Sequence, residues 1–428
     1  MKKVLIITYY WPPAGGPGVQ RVLKFAKYLP YFGWQPIILT VKKGEYPAID
    51  ESLSRDIPDS CIVYKTNSIE PGFIYKKFTG MKKDEKIPVA VLTVENINWK
   101  KRLSNWIRIN LFIPDAKIGW IPFAVHKGKK IIKKEKPDII FSSSPPPTVH
   151  LIAKKLAKWS GIKWVADFRD PWTKIYYYEK KKNKVSQMID SKLEAKVISS
   201  CNKATCVSDQ FIDLLNVRKN KKFEVINNGY DENEMQQEIV KNNKFNIIHV
   251  GSIDKNRYYK KLFATLQKLL TENKLDKNKF QLLLVGKVEN VVKQLLKKEF
   301  KNFENVKFIG YVSHKESIQY MYKANILLLF LENVRNYEGH IPGKLFEYLA
   351  TENFILGIGS KSGNAAKILA KTGCGKMFDK EDNFEYEILS QYKNWQNDNK
   401  QKIDRKEIQK YSRKNLTKKM VNVFNELI

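Results

Sequence analysis

Gly339-His340-Ile341-Pro342-Gly343-Lys344-Leu345-Phe346-Glu347-Tyr348-Leu349-Ala350 joins a glycine-proline turn directly to an amphipathic helix. Short apolar runs at 326–330 and 354–358 flank it, each of strand length. Strand, turn, helix and strand in that order make a βαβ unit, which belongs in a parallel sheet. The turn also has a chemistry of its own. The first N–H groups of a helix lack intrahelical partners and the helix dipole is positive there, so a phosphate is a natural guest. Glu347 stands three residues past Lys344, about one turn along, where its carboxylate can accept hydrogen bonds from a vicinal diol such as a ribose. Phosphate and diol together read as a nucleotide-sugar pocket. The same residues also suit an ordinary helix with Leu345, Phe346 and Leu349 in the core and Glu347 in solvent.

Outward from this stretch the same alternation fills the chain. In the first half, strands are expected at 4–8, 35–41, 138–142, 163–167, 204–207 and 223–226, with helices at 19–31, 123–134, 148–159 and 187–200. The turn Asn227-Asn228-Gly229-Tyr230-Asp231 and a polar connector over 232–244 interrupt the pattern. It then restarts, with strands at 245–250, 280–285, 306–309, 326–330, 354–358 and near 375–378, and helices at 258–273, 289–299, 314–322, 343–352 and 363–371. The expectation is two doubly wound α/β domains, 1–228 and 229–404, facing across a cleft with ligands at the carboxyl ends of the strands. A helical tail, 405–428, carries Leu416, Met420, Val423 and Phe424 on one face and is expected to pack back across the domain boundary.

A length of 428 residues suits two such domains. No apolar run reaches 18 residues, so no transmembrane helix is expected, and the opening Met1-Lys2-Lys3-Val4-Leu5-Ile6-Ile7 reads as a buried strand rather than a secretory signal. Cys61, Cys201, Cys206 and Cys374 form no CxxC pair, which disfavours zinc and a disulfide framework and fits the cytoplasm. The net charge is +33, with 42 Lys and Arg against 20 Asp and Glu in residues 1–225 alone. The first half therefore favours an anionic partner; compositional bias is the plainer cause. Over 100–112, Leu103, Trp106, Ile107 and Leu111 share one helical face among basic residues, a pattern for an anionic membrane surface and equally for a surface helix packed on its own domain. The loop Tyr176-Tyr177-Tyr178 with Lys180, Lys181, Lys182 and Lys184 is a second aromatic and basic stretch. Neither resembles a nucleic-acid reader, so no nucleic-acid partner is expected.

Gly16-Pro17-Gly18-Val19-Gln20-Arg21 begins like a dinucleotide fingerprint, but Arg21 replaces its third glycine and no carboxylate ends the second strand. A nicotinamide enzyme is therefore disfavoured. The loop offers the Gly15 and Gly16 amides and Arg21 to an acceptor or phosphate, or is simply a tight turn.

The chain resembles the retaining glycosyltransferases of GT-B fold, family 4, over nearly its whole length. The resemblance rests on Pro12-Pro13-Ala14-Gly15-Gly16, Asp167-Phe168-Arg169-Asp170-Pro171-Trp172, Ile226-Asn227-Asn228-Gly229-Tyr230-Asp231, Val250-Gly251-Ser252, Leu284-Val285-Gly286, Phe308-Ile309-Gly310-Tyr311-Val312 and the opening stretch. It implies a nucleotide-diphosphate sugar held by the second domain, an acceptor held by the first, no cofactor and no metal; no Asp-x-Asp pair is present. Donor contacts are expected from Gly251, Ser252, Arg257, Lys260, Gly286, His340, Gly343, Lys344 and Glu347, and acceptor contacts from Gly15, Gly16, Arg21 and His150.

Three departures stand out. Relatives carry an earlier glutamate with seven residues between it and the one that Glu347 matches; here that position is Gly339, with Glu338 beside it. Ser252 stands where relatives place an Arg for the diphosphate, leaving Arg257, Lys260 and Lys261 to neutralise it. Where many relatives end the 163–168 strand with a His, this chain has Arg169 between Asp167 and Asp170, so Asp170 or Arg169 is expected at the reaction centre. The implied activity is sugar transfer with retention to a lipid-linked or oligosaccharide acceptor of a bacterial surface polysaccharide, by a cytoplasmic protein peripheral on the inner face of the membrane. A nucleotide-sugar epimerase and a noncatalytic nucleotide-sugar-binding protein are the alternatives.

Overall fold

A computed structural model describes every residue except 47, 71–98, 176–180, 216–222, 237–242, 302, 332–338, 340 and 400. Glu338, His340, Tyr176 to Lys180 and part of the polar connector therefore lie outside the described residues. The chain divides into two compact units, 1–228 with 413–428, and 229–412.

The first unit contains β1 (Lys2–Ile7), α1 (Pro17–Tyr28), β2 (Trp34–Val41), β3 (Ile62–Thr66), α2 (Trp99–Asn110), α3 (Ile121–Glu135), β4 (Ile139–Ser144), α4 (Thr148–Ser160), β5 (Trp164–Phe168), α5 (Lys184–Ser200), β6 (Lys203–Cys206), α6 (Asp209–Leu214) and β7 (Phe223–Val225). Its sheet is parallel throughout, in the order β3-β2-β1-β4-β5-β6-β7. Side chains alternate between the two covered faces of the sheet, which explains why β1 is apolar at every position from Val4 to Ile7. Leu5 and Ile7 pack with α3 and α4 on one face, while Val4 and Ile6 meet α1 on the other. Strand β3 was not anticipated, because Ile62, Val63 and Tyr64 at the sheet's edge are only half-buried and its run is too short to stand out.

The second unit contains β8 (Phe245–Val250), α7 (Lys260–Thr271), β9 (Phe280–Val285), α8 (Asn290–Glu299), β10 (Val306–Gly310), α9 (His314–Tyr322), β11 (Ile326–Phe330), α10 (Gly343–Ala350), β12 (Phe354–Ile358), α11 (Asn364–Thr372), β13 (Gly375–Phe378), α12 (Glu385–Gln396) and α13 (Arg405–Gln409). Its parallel sheet runs β10-β9-β8-β11-β12-β13. Both sheets reverse strand order beside their first strand, which opens a crevice at the carboxyl ends there. The expected single tail helix is two helices. Ser412 pairs with Tyr230 in a bridge, α13 stays with the second unit, and α14 (Arg413–Asn425) belongs to the first. There Phe424 lies 5.3 Å from the Trp34 ring and 5.6 Å from Phe141, with Leu416, Met420 and Val423 in the same core.

Candidate functional site

At the carboxyl edge of the second sheet, three strand ends meet with bare backbone between them. The chain leaves β8 at Gly251, whose φ of +136° is a conformation side chains rarely adopt. The Gly251 N–H donates to the Val285 carbonyl (2.7 Å), and the Gly286 N–H donates to the Gly310 carbonyl (2.7 Å). A Cβ on Gly286 would strike the Gly251 carbonyl. Only glycine permits this approach.

Helix α10, from the stretch that opened the sequence reading, adds the charge. Pro342 at its N-cap supplies no side-chain cap and no acid stands in its first turn, so among the described residues its leading N–H groups keep no side-chain partner. Gly343, its first residue, is exposed, with open space where a Cβ would stand. Lys344 reaches back until its ammonium occupies the space a Gly251 Cβ would fill. Burial, and then the Arg257 charge, brings that ammonium down to about 8, with Glu347 acting in the opposite sense. Arg257 ends a short turn just beyond Gly251, its Nη1 3.4 Å from the Ser252 carbonyl. Two cations at one turn destabilise each other, and a diphosphate would relieve both.

Glu347 lies one helical turn from Gly343 and is partly exposed, its Oε1 3.8 Å from His314 Nε2. The same Nε2 is 3.3 Å from Glu234 Oε2. Sequence reasoning missed His314. The signal was there, since Ser313 and Glu316 form a capping box directly after β10 and so set His314 at this edge of the sheet. Ser252 and Lys260 are exposed, and among the described residues no hydrogen bond or ion pair joins Lys260 to the Lys344 cluster. His340 lies outside the described residues.

The first unit treats its expected acceptor residues differently. The Gly15 N–H already donates to the Ala48 carbonyl (2.9 Å), which removes it from ligand binding. Gly16 caps α1 at φ +88°. Arg21, expected at the acceptor, is instead a core residue. Its Nε and Nη2 donate to Asp167 (3.0 and 2.8 Å), and its Nη1 donates to the Asn227 carbonyl (2.8 Å). His150 is likewise corrected to a core position: it is fully buried, with Nδ1 2.8 Å from Ser142 Oγ and its ring 4.6 Å from Phe168. Burial lowers it to about 3, so it stays neutral.

Arg169 and Asp170 follow β5. Arg169 donates from Nη1 to the Gly18 carbonyl (2.6 Å). Asp170 is half-buried and accepts no hydrogen bond among the described residues; burial pushes its carboxyl up while Arg169 pulls it down. Its carboxylate is open to a ligand, whereas that of Asp167, three residues earlier, is consumed by the core.

The Glycosyltransferase Family 4 model matches residues 89–234 and the Glycosyl transferases group 1 model matches residues 231–415, so the two run without a break. No curated protein sequence matches the chain. Among solved structures, a sucrose-phosphate synthase from Thermosynechococcus elongatus is 14% identical, with 100% of this chain and 99% of that one covered at a TM-score of 0.63. The lipopolysaccharide outer core galactosyltransferase WaaB is 13% identical, with 100% of both chains covered at 0.58. HepE of Anabaena in complex with UDP-glucose is 12% identical, again with 100% of both chains covered, at 0.57. At these identities the likeness is one of fold, the two Rossmann-like units of GT-B.

Proposed function

We propose, for a chain that belongs to the family 4, group 1 glycosyltransferases of GT-B fold, transfer of a sugar from a nucleoside-diphosphate sugar to a lipid-linked or oligosaccharide acceptor of a surface polysaccharide, with retention and without metal. One observation carries this reading: the Lys344 ammonium and the uncapped start of α10 stand over the Gly251 turn, with Glu347 one helical turn away. The ammonium, Arg257 and the Gly343 and Lys344 amides hold the diphosphate, and Glu347 takes the ribose hydroxyls. Gly251 and Gly286 admit the phosphates by lacking side chains. HepE was solved with UDP-glucose, which supports a nucleotide sugar as donor, and WaaB is a galactosyltransferase of lipopolysaccharide, which supports a glycan acceptor.

On the acceptor side, Asp170 and Arg169 orient the attacking hydroxyl. As its oxygen bonds to the anomeric carbon, the bond to the diphosphate breaks on the same face and the hydroxyl proton passes to the departing phosphate oxygen. No separate general base is required, in keeping with the burial of His150. Membrane association is part of the proposal. Among the described residues no helix is long and apolar enough to cross a bilayer, but α2 exposes Leu103 and Trp106 between Arg102 and Arg108, suited to the anionic inner face of a membrane.

The missing carboxylate at Gly339 favours one second reading, a binding protein without turnover. A screen of nucleoside-diphosphate sugars by nucleotide release, with acceptor lipid extract present and absent, decides between them. Release that depends on acceptor and is lost in Glu347→Ala supports transfer; nucleotide binding lost in Glu347→Ala with no release by the unaltered chain supports the second reading.

A further inference from the structure

His249, the penultimate residue of β8, lies beneath the Lys344 cluster and has no place in the mechanism above. It is fully buried and stacks on Phe330 with ring centroids 4.7 Å apart and planes at 14°. Its Nδ1 is 2.9 Å from the Leu328 carbonyl. A carbonyl only accepts, so Nδ1 carries the proton and Nε2 presents a lone pair. That Nε2 is buried and has no hydrogen-bond partner among the described residues, the Lys344 ammonium included. It lies 3.5 Å from the point where a Gly251 Cβ would stand, the point the Lys344 ammonium also crowds.

A buried lone pair is costly unless it meets a donor, and the donor at hand is the ammonium. A phosphate oxygen, which only accepts, gains nothing from it. We propose that His249 is a positioning residue for Lys344: a small turn of the lysine brings its ammonium onto Nε2, which then holds it over the Gly251 turn, ready for the donor diphosphate. Burial, and next the Lys344 charge, keeps the imidazole well below its usual pKa, so the lone pair persists at neutral pH. Without this tether, the flexible lysine side chain is free to swing toward the Glu347 carboxylate, away from the phosphates. Phe330 fixes the ring's plane and Leu328 fixes its tautomer, so the tether is rigid where the lysine is not.

The inference rests on the donor-site reading above, and a double-mutant cycle separates the two. The ligand is whichever of UDP, GDP, ADP, CDP and dTDP the unaltered protein binds best, measured by calorimetry. His249→Phe keeps the stacking and removes the lone pair; His249→Gln restores an acceptor. We expect His249→Phe to weaken binding about 10-fold, the scale of one hydrogen bond to a charged group, and His249→Gln to recover most of it. In Lys344→Ala, which itself weakens binding, adding His249→Phe changes nothing further. Losses that multiply in the double variant, or full affinity in His249→Phe, overturn the tether while leaving the donor site standing. Unchanged affinity in Lys344→Ala overturns both. Should His249→Phe fail to fold, His249→Gln in both backgrounds carries the same cycle: a loss that persists without Lys344 overturns the tether, and one that vanishes supports it.

Discussion

Arg21 and Asp167 form a two-pronged ion pair, Nε to Oδ2 at 3.0 Å and Nη2 to Oδ1 at 2.8 Å, with side-chain exposures of 1% and 0%. Ser143 (2.6 Å) and Thr205 (2.7 Å) donate to the same carboxylate, while Arg21 reaches on to the Asn227 carbonyl. The network ties α1 to strands β4, β5 and β6 and to the last residues of the first unit. Its role is cohesion.

Removing one partner leaves the other buried without its counter-charge, which costs about 3–5 kcal/mol. Arg21→Met should therefore lower the stability of the first unit by about that amount in urea unfolding, with nucleoside-diphosphate affinity unchanged. Burial raises the Asp167 pKa, but Arg21 and the hydroxyl donors outweigh it and hold the carboxyl below its usual range. A depressed folded pKa contributes stability above the ordinary aspartate value of about 3.9, lost as pH falls through the folded value. Arg21→Met should erase that acid-side dependence. A variant as stable as the unaltered chain would return Arg21 to the acceptor.

Lys344, lowered to about 8, should set how affinity for a nucleoside diphosphate depends on pH. The ammonium is charged below that value and neutral above it, and a diphosphate prefers it charged. Affinity for the best nucleoside diphosphate should hold up to about pH 8 and then fall, by up to about tenfold per pH unit. Lys344→Met should bind more weakly and lose that fall. Calorimetry across pH 7 to 10 reads both, and an equal decline in the variant would assign the titration elsewhere.

Helix α2 leaves Leu103 42% and Trp106 49% exposed, with Arg102 and Arg108 on the same short element. Partitioning of such a face into an anionic interface couples apolar burial to charge attraction. Trp106→Glu should reduce flotation with vesicles containing anionic phospholipid several-fold, and raising salt should weaken what remains. Equal flotation of the variant would remove α2 from membrane contact.

Much of the fold was legible because its signals are local. Apolar runs such as Val4 to Ile7 and Ile326 to Phe330 need no partner to be read as buried strands, and Gly343 announces the start of α10. Strand β3, half-buried at an edge, and α12, with its weakly segregated apolar face, escaped notice because their burial comes from neighbours far along the chain. The break at residues 410–412, which divides the tail between the units, was equally unreadable.

The sequence by itself determined the two doubly wound halves, the turn into α10 and the candidate roles of Lys344 and Glu347, since spacing along one helix sets which groups share a turn. Tertiary structure decided which charges gather at the sheet's edge and which face the core. Arg21 and Asp167 stand 146 residues apart, His249 and Lys344 meet only where β8 runs out beneath α10, and His314 finds Glu347 across the sheet's edge. Burial and charge pairing are properties of distance in space, and a parallel sheet brings together at its carboxyl end residues that the chain itself keeps far apart.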